Sequence, residues 1–398
     1  MLSIFGYTLA ILTLAYLGIL LWLGKGLRHL ENLNANNKKT SAKNLPSVSV
    51  IVCARNEEQR LPRLLQAVAQ QQYPANKLEI CLVDDRSTDR TSEIMENFAA
   101  SHPNVIHLRI NDTVPNFAPK KRAIDMAIHH TTGEIILLTD SDAAPGPLWI
   151  QEMAAAFAPE VVMVCGYSPY IPRDSFWQKV LALEYFSHAA VAAGGIAAGQ
   201  PLTCTGSNMA YRREAYLRIG GFAGIAHWIS GDDDLLLHKM HEAGIGKIGY
   251  AAHPNSHAPV QPPASWQDFK AQRTRYASKS LHYQPSLTLA LLLVYLLNLI
   301  LCIGLLSAVC GWWEFFISAL ILGVLKAAGE YFYLRRASKL FAEQELLPVF
   351  PLAALLHPFY ILFFATRGQF AKFSWRGEQF AAKKSHSLQS MGELIKWS

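Results

Sequence analysis

Charged side chains are scarce in this 398-residue chain: Asp, Glu, Lys and Arg make up 17% of it, against 51% hydrophobic residues. That balance is rich in apolar residues for a wholly soluble protein. The shortage is also uneven. Residues 2–23 hold no charged side chain, and no Lys or Arg precedes them. The run is too long for the apolar part of a cleaved leader, whereas roughly 20 such residues span a bilayer. Cysteine is sparse too. Cys53, Cys81, Cys165, Cys204, Cys302 and Cys310 show no metal-ligand spacing, and they fit structural roles in a reducing compartment. No internal repeat or low-complexity region is present.

The apolar residues concentrate at the two ends. Residues 1–25 are expected to form a transmembrane helix, with 26–46 a polar linker. Lys25, Arg28, Lys38 and Lys39 follow the apolar run, so positive-inside bias puts the next domain in the cytoplasm. Residues 285–335 suffice for two spans, turning at Gly311-Trp312-Trp313-Glu314, and Lys326 and Glu330 are spaced to pair. The segment 336–366 includes an apolar stretch, 346–365, that is long enough to cross but carries Pro348, Pro351 and Pro358. A single crossing would put the basic tail, 367–398 (Arg367, Lys372, Arg376, Lys383, Lys384), outside. A re-entrant or interfacial segment keeps it in the cytoplasm and obeys the charge rule. The net charge of +6 mostly flanks apolar segments, which points to an anionic membrane surface and not to nucleic acid. The expectation is a multi-pass cell-membrane protein with a cytoplasmic catalytic domain.

Residues 47–284 read differently. Short apolar strands at 48–53, 79–83, 104–110 and 134–139 alternate with amphipathic helices, among them one carrying Leu61, Leu64, Leu65 and Val68 and another over 120–130. Such alternation implies an α/β domain with a mainly parallel sheet, and ligands bind beyond the carboxyl ends of its strands. Polar clusters fall at those ends: Arg55-Asn56-Glu57, Asp84-Asp85-Arg86-Ser87 and Asp140-Ser141-Asp142.

Asp140 and Asp142 flank one small residue after a buried strand, a spacing at which two carboxylates can share a divalent ion. Magnesium takes one or two carboxylates and completes its shell with phosphate oxygens. Asp232, Asp233 and Asp234 open a second helix. One of them serves as an N-cap, but three adjacent acids repel one another, so capping leaves the run unexplained. A carboxylate there is suited to deprotonating a sugar or lipid hydroxyl. Gln272-Arg273-Thr274-Arg275-Tyr276 precedes the membrane pair, and its basic residues suit a diphosphate or lipid phosphate.

In their shared order these segments resemble glycosyltransferase family 2, the inverting enzymes with a GT-A, Rossmann-like nucleotide-sugar domain. The resemblance runs from Val48 to Tyr276. It places Arg55 at the opening turn and Asp85, in Asp84-Asp85-Arg86-Ser87-Thr88-Asp89-Arg90-Thr91, at a uracil-type base. It also puts Lys120 beside the donor, although Pro119 stands where the motif has Gly, and Asp140 and Asp142 on a Mg2+ or Mn2+ ion. Asn208, in Gly206-Ser207-Asn208-Met209-Ala210-Tyr211-Arg212, matches a segment by the acceptor. Gly231-Asp232-Asp233-Asp234-Leu235 resembles the Glu-Asp-x-Asp-Leu motif, which selects Asp232 as catalytic base with Asp233 as competitor. Gln272, Arg275 and Tyr276 match Gln-x-x-Arg-Trp on the acceptor and diphosphate side, with Tyr for Trp. Residues 372–380 resemble a cytoplasmic tail motif of membrane-bound members.

The resemblance implies a metal-dependent transfer from a nucleotide sugar, a UDP-sugar first, to a lipid-linked or envelope glycan acceptor. A processive polysaccharide synthase and a catalytically silent binding subunit remain alternatives. The donor sugar, the acceptor and any oligomeric partner are not legible.

Overall fold

The computed structural model describes residues 2–36, 45–280, 283–371, 373–375 and 378–380. Residues 37–44 of the expected linker and most of the basic tail, including Lys372, Arg376, Lys383 and Lys384, lie outside the described residues.

The first four strands are β1 (Val48–Ala54), β2 (Leu78–Asp85), β3 (Val105–Ile110) and β4 (Ile135–Asp140). Three more follow that the sequence reading did not mark: β5 (Val161–Gly166), β6 (Met209–Arg212) and β7 (Lys247–Ala251). They form one seven-stranded sheet in the order β3-β2-β1-β4-β6-β5-β7. Its pairings are parallel except at β6, which runs antiparallel to β4 and β5. The fold is therefore α/β with a mostly parallel sheet. β1 and β4 are buried almost throughout, as continuous apolar runs in a covered parallel sheet should be. Because β6 is reversed, its entry at Ser207-Asn208 lies at the same edge as the exits of β1, β2 and β4.

Helix α1 (Leu2–Asn36) runs well beyond residue 25 into the stretch expected as linker. Leu20, Leu23, Leu27 and Leu30 are all buried and recur at helical spacing, so the apolar face continues although the opposite face turns polar. That face packs on α6 (Phe176–Ala197), which lies between α1 and the α/β domain. The crossing depends on glycine: a Cβ at Gly26 would stand 2.0 Å from the Gly194 carbonyl oxygen. Arg336 forms an ion pair with Glu31 beside it.

Helices α10 (Pro285–Leu306) and α11 (Trp313–Phe341) form the expected pair, reversing near Gly311, whose φ is 75°. Lys326 and Glu330 do pair, at 2.8 Å, and Tyr16 of α1 donates to the same Glu330 oxygen at 2.7 Å. Helix α12 (Phe350–Phe370) follows, and His357 on it lies 3.2 Å from Lys326 Nζ. Five helices among the described residues are long and apolar enough to cross a membrane, α6 among them. α6, however, spends its inner face on the domain, with Leu183, Phe186 and Ala190 buried.

A branched side chain at residue 26 should force α1 off α6. Gly26→Val is expected to lower stability by about 1–3 kcal/mol. Gly24→Val should change little, because nothing lies within 4 Å of its added Cβ. Thermal unfolding of the two variants in the same detergent checks the contrast.

Candidate active site

The carboxyl edge of the sheet gathers most of the expected residues. The loops after β1 and β2 are tied together: Ser87 Oγ accepts from the Asn56 amide at 3.0 Å, and Thr91 Oγ1 accepts from the Glu57 amide at 2.8 Å. Asn56 and Arg86 take left-handed backbone conformations, φ 56° and 57°, which turn both loops sharply at the edge. Arg55 is half-buried in the first of them. Asp85 is buried at the end of β2 and receives Arg86 Nε at 2.8 Å. A narrow cleft at this pair is lined also by Asp112, Val114, Phe117 and Arg122.

Lys120 sits in the first turn of α4 (Pro119–His130). Proline at 119 costs the helix nothing there, since the first amide of a helix has no partner to lose. The Lys120 ammonium lies 2.8 Å from Asp140 Oδ1 and 2.8 Å from Asp232 Oδ2. Burial works against its charge, but Asp140 and Asp232 outweigh that and hold it well above the usual lysine range. One ammonium thus joins the Asp140-Ser141-Asp142 cluster to the acidic run.

Asp142 is less comfortable. Burial, then the Asp140 and Glu57 carboxylates, push its carboxyl up to about 6, with only partial relief from Arg60. Among the described residues no group of three His, Cys, Asp or Glu stands ready as a metal cage. Two oxygen ligands under mutual repulsion nevertheless fit a hard cation that draws its remaining ligands from phosphate and water.

The three acids of the second cluster have separate surroundings. Asp233 caps α8 (Asp234–Glu242) by accepting from the Asp234 amide at 2.7 Å. Burial resists its charge, yet Lys279 at 3.0 Å and that amide hold its carboxyl well below the ordinary range. Asp234 is structural: it accepts from Thr203 Oγ1, the Cys204 amide, Tyr283 OH and Lys279. Asp232 is the acid that meets Lys120. Gly231, where the resembled motif has Glu, takes φ 89°, and a Cβ there would stand 2.5 Å from Leu235 Cγ. Glycine is the residue this turn accepts.

Two lysines escaped the sequence reading. Lys121 is buried and donates to the carbonyls of Ile225, Trp228 and Ser230 at 2.7, 2.9 and 3.2 Å, which fixes the loop leading into Asp232. Burial pulls its pKa down to about 8. Lys279 continues the spacing of Gln272, Arg275 and Tyr276 by one more helical turn, a signal available in the sequence.

Asn208, expected on the acceptor side, is placed in the core. It is 0% exposed; its amide donates to the carbonyls of Tyr167 and Ser256 at 2.8 Å each, and its oxygen accepts from Trp149 Nε1 at 3.0 Å. A side chain so occupied holds the core together behind the edge. Gln272 lies on α9 (Trp266–Ala277), where its Oε1 accepts from Tyr170 OH at 3.1 Å. The Arg275 guanidinium lies 5.2 Å from the Tyr276 ring centre, and Lys279 Nζ is 6.0 Å from the same ring. Through Tyr276 and Lys279, α9 reaches the acidic run.

Comparisons with known proteins agree with this geometry. The Glycosyl transferase family 2 model matches residues 49–220, and the Glycosyl transferase family group 2 model matches 135–365. The "Probable glycosyltransferase YdaM" of Bacillus subtilis is 25% identical over 63% of this chain and 60% of its own length. A beta-monoglucosyldiacylglycerol synthase of Nostoc is 28% identical over 45% of this chain and 38% of its own. The chain therefore spans less than two thirds of either relative. The mannosyltransferase PcManGT from Pyrobaculum calidifontis, solved with GDP-Man and Mn2+, superposes with a TM-score of 0.50 over 90% of this chain and 99% of that one. At 21% identity that likeness concerns the GT-A fold alone. With the family group 2 model covering more than half of its residues, the chain belongs to glycosyltransferase family 2.

Proposed function

We propose that this protein is a membrane-bound inverting glycosyltransferase that moves a sugar from a nucleotide-sugar donor, UDP-sugars first, to a lipid hydroxyl. The observation that carries the proposal is the Lys120 ammonium shared at 2.8 Å by Asp140 and Asp232. It sets a diphosphate-binding charge and a candidate base within one salt-bridge network.

In this reading the base lies in the cleft between Asp85 and Phe117, and Lys120 binds the diphosphate. Asp140 and Asp142 would hold Mg2+ or Mn2+, which when bound supplies countercharge for the departing diphosphate. Asp232 takes the proton of the acceptor hydroxyl. The freed oxygen attacks the anomeric carbon from the side opposite the diphosphate, the bond to the diphosphate breaks, and the nucleoside diphosphate leaves. Asp233, committed to Lys279 and the α8 cap, is the weaker candidate for the base.

A lipid acceptor suits the membrane arrangement. Both ends of the segment around α12 return to the catalytic domain: Arg173 pairs with Glu343 and Glu345 before it, and Arg367 Nε donates to Thr274 Oγ1 at 3.2 Å near its end. That supports a re-entrant or interfacial α12, with α1, α10 and α11 as spans and the domain in the cytoplasm. Three spans are few for a polymer channel. One relative is named for monoglucosyldiacylglycerol, which also favours a lipid acceptor.

Membranes containing the protein should release nucleoside diphosphate selectively from one of a panel of nucleotide sugars supplied with Mg2+ or Mn2+. Asp232→Asn should lower that release about 10²–10⁴-fold and leave donor binding intact; near-normal turnover would remove Asp232 as base. Asp140→Ala should abolish the metal-dependent part of donor affinity, measured by titration with UDP in Mn2+ and in chelator. Unchanged affinity would refute its role. Lys279→Met leaves two buried carboxylates without their cation and should cost about 3–5 kcal/mol of stability in thermal unfolding.

A further inference from the structure

Arg273 stands inside the Gln272 to Tyr276 run, yet it matches no motif position and is among the most deeply buried charges of the described residues, at 2% exposure. Its Nε donates to Glu184 Oε1 of α6 at 3.0 Å, and its Nη2 bonds the other carboxylate oxygen, so the pair is a two-pronged fork. Tyr360 of α12 donates its hydroxyl to the same Glu184 Oε1 at 2.5 Å. On the other side Arg273 Nη1 donates to Gln272 Oε1 at 2.6 Å. The guanidinium is packed among aromatic rings, 4.9 Å from the centre of Phe269 and 5.5 Å from that of Tyr276. Further along, Gly368 of α12 lies against Ala277, where a Cβ would approach the Ala277 Cβ to 2.5 Å.

Stability alone does not account for the fork. A buried ion pair is offset by the desolvation of both charges, and apolar side chains of the same volume usually hold a core as well or better. What a planar, bidentate guanidinium adds is orientation. The groups it orients are Gln272 and Tyr276, and Tyr276 adjoins Lys279, which binds Asp233 next to Asp232.

We infer that Arg273, clamped by Glu184 and Tyr360, is a positioning residue that aligns the acceptor side of the site with the membrane segment α12. The inference rests on the glycosyltransfer reading above and names the device that would bring a lipid hydroxyl into register. With α12 seated in the bilayer surface, the Tyr360–Glu184–Arg273 chain sets the angle of α9 and hence the place of Tyr276 beside the acidic run. The donor side, built on β1, β2 and β4, does not depend on it.

The test uses the full chain in vesicles of phosphatidylethanolamine and phosphatidylglycerol, with diacylglycerol titrated in as acceptor probe. Nucleoside diphosphate release and UDP affinity are measured together. Arg273→Lys and Tyr360→Phe should raise the diacylglycerol level for half-maximal release about 10- to 100-fold, the scale expected of a misplaced acceptor, at unchanged UDP affinity. The double variant Glu184→Met/Arg273→Met should unfold at a temperature close to wild type and keep the acceptor defect. Wild-type acceptor dependence in the double variant overturns the inference, as does an equal loss of UDP affinity in the single variants. If the wild-type protein binds no UDP and releases nothing from any donor, the glycosyltransfer reading itself falls. Wild-type release that diacylglycerol leaves unchanged removes the lipid acceptor on which the inference stands.

Discussion

One ammonium placed between two carboxylates organises this site. Parallel strands deliver their polar exits to one edge, and here the exits of β1, β2 and β4 carry Glu57, Asp84, Asp85, Asp140 and Asp142, to which the turn into α8 adds Asp232, Asp233 and Asp234. So many carboxylates in a partly buried place repel one another unless cations are distributed among them. The distribution is specific: Arg86 holds Asp85, Lys279 holds Asp233 and Asp234, and Lys120 bridges Asp140 and Asp232. Asp142 is pushed up to about 6 by burial first and then by the Asp140 and Glu57 carboxylates. Under the proposed function, that is where a divalent ion and a diphosphate would complete the balance.

The sheet and its polar edge were readable because they follow from alternation alone. β-branched runs ending in acids, separated by amphipathic helices, leave few arrangements other than a parallel sheet with its acids at one edge. The partition of the acidic run was not readable. Nothing in the spacing of Asp232, Asp233 and Asp234 shows that a lysine 46 residues further on would claim Asp233. The surroundings of Asn208 were hidden for a related reason: a short polar motif looks the same whether its amide faces a ligand or ties Tyr167 to Ser256. The length of α1 was hidden differently, because Leu27 and Leu30 keep the helical period while Arg28, His29 and Glu31 make the stretch look like linker.

The membrane segments depend on close approach between helices as much as on apolar length. Gly26 on Gly194 lets α1 lie directly against α6, and Gly368 on Ala277 does the same for α12 and α9. Polar groups then lock the contacts: Tyr16, Lys326, Glu330 and His357 bind α1, α11 and α12 to one another. Such groups are costly in an apolar surrounding unless each finds a partner, so the network narrows how these helices can pack.

The path of α12 bears on the acceptor. Its midpoint meets Lys326 among the apolar helices, whereas the residues at its two ends meet Arg173 and Thr274 of the catalytic domain. Under the proposed function, contacts with the domain before and near the end of this helix favour a re-entrant or interfacial segment over a fourth span. α12 also lies along α9, with Tyr360 and Phe364 against Phe269 and Arg367 against Thr274. Under the proposed function, that contact would hold the helix bearing Gln272 and Tyr276 near the bilayer surface, where lipid hydroxyls lie. A water-soluble acceptor would gain nothing from that height. A lipid acceptor would reach the site by moving within the membrane plane, and the number of spans would not matter to it.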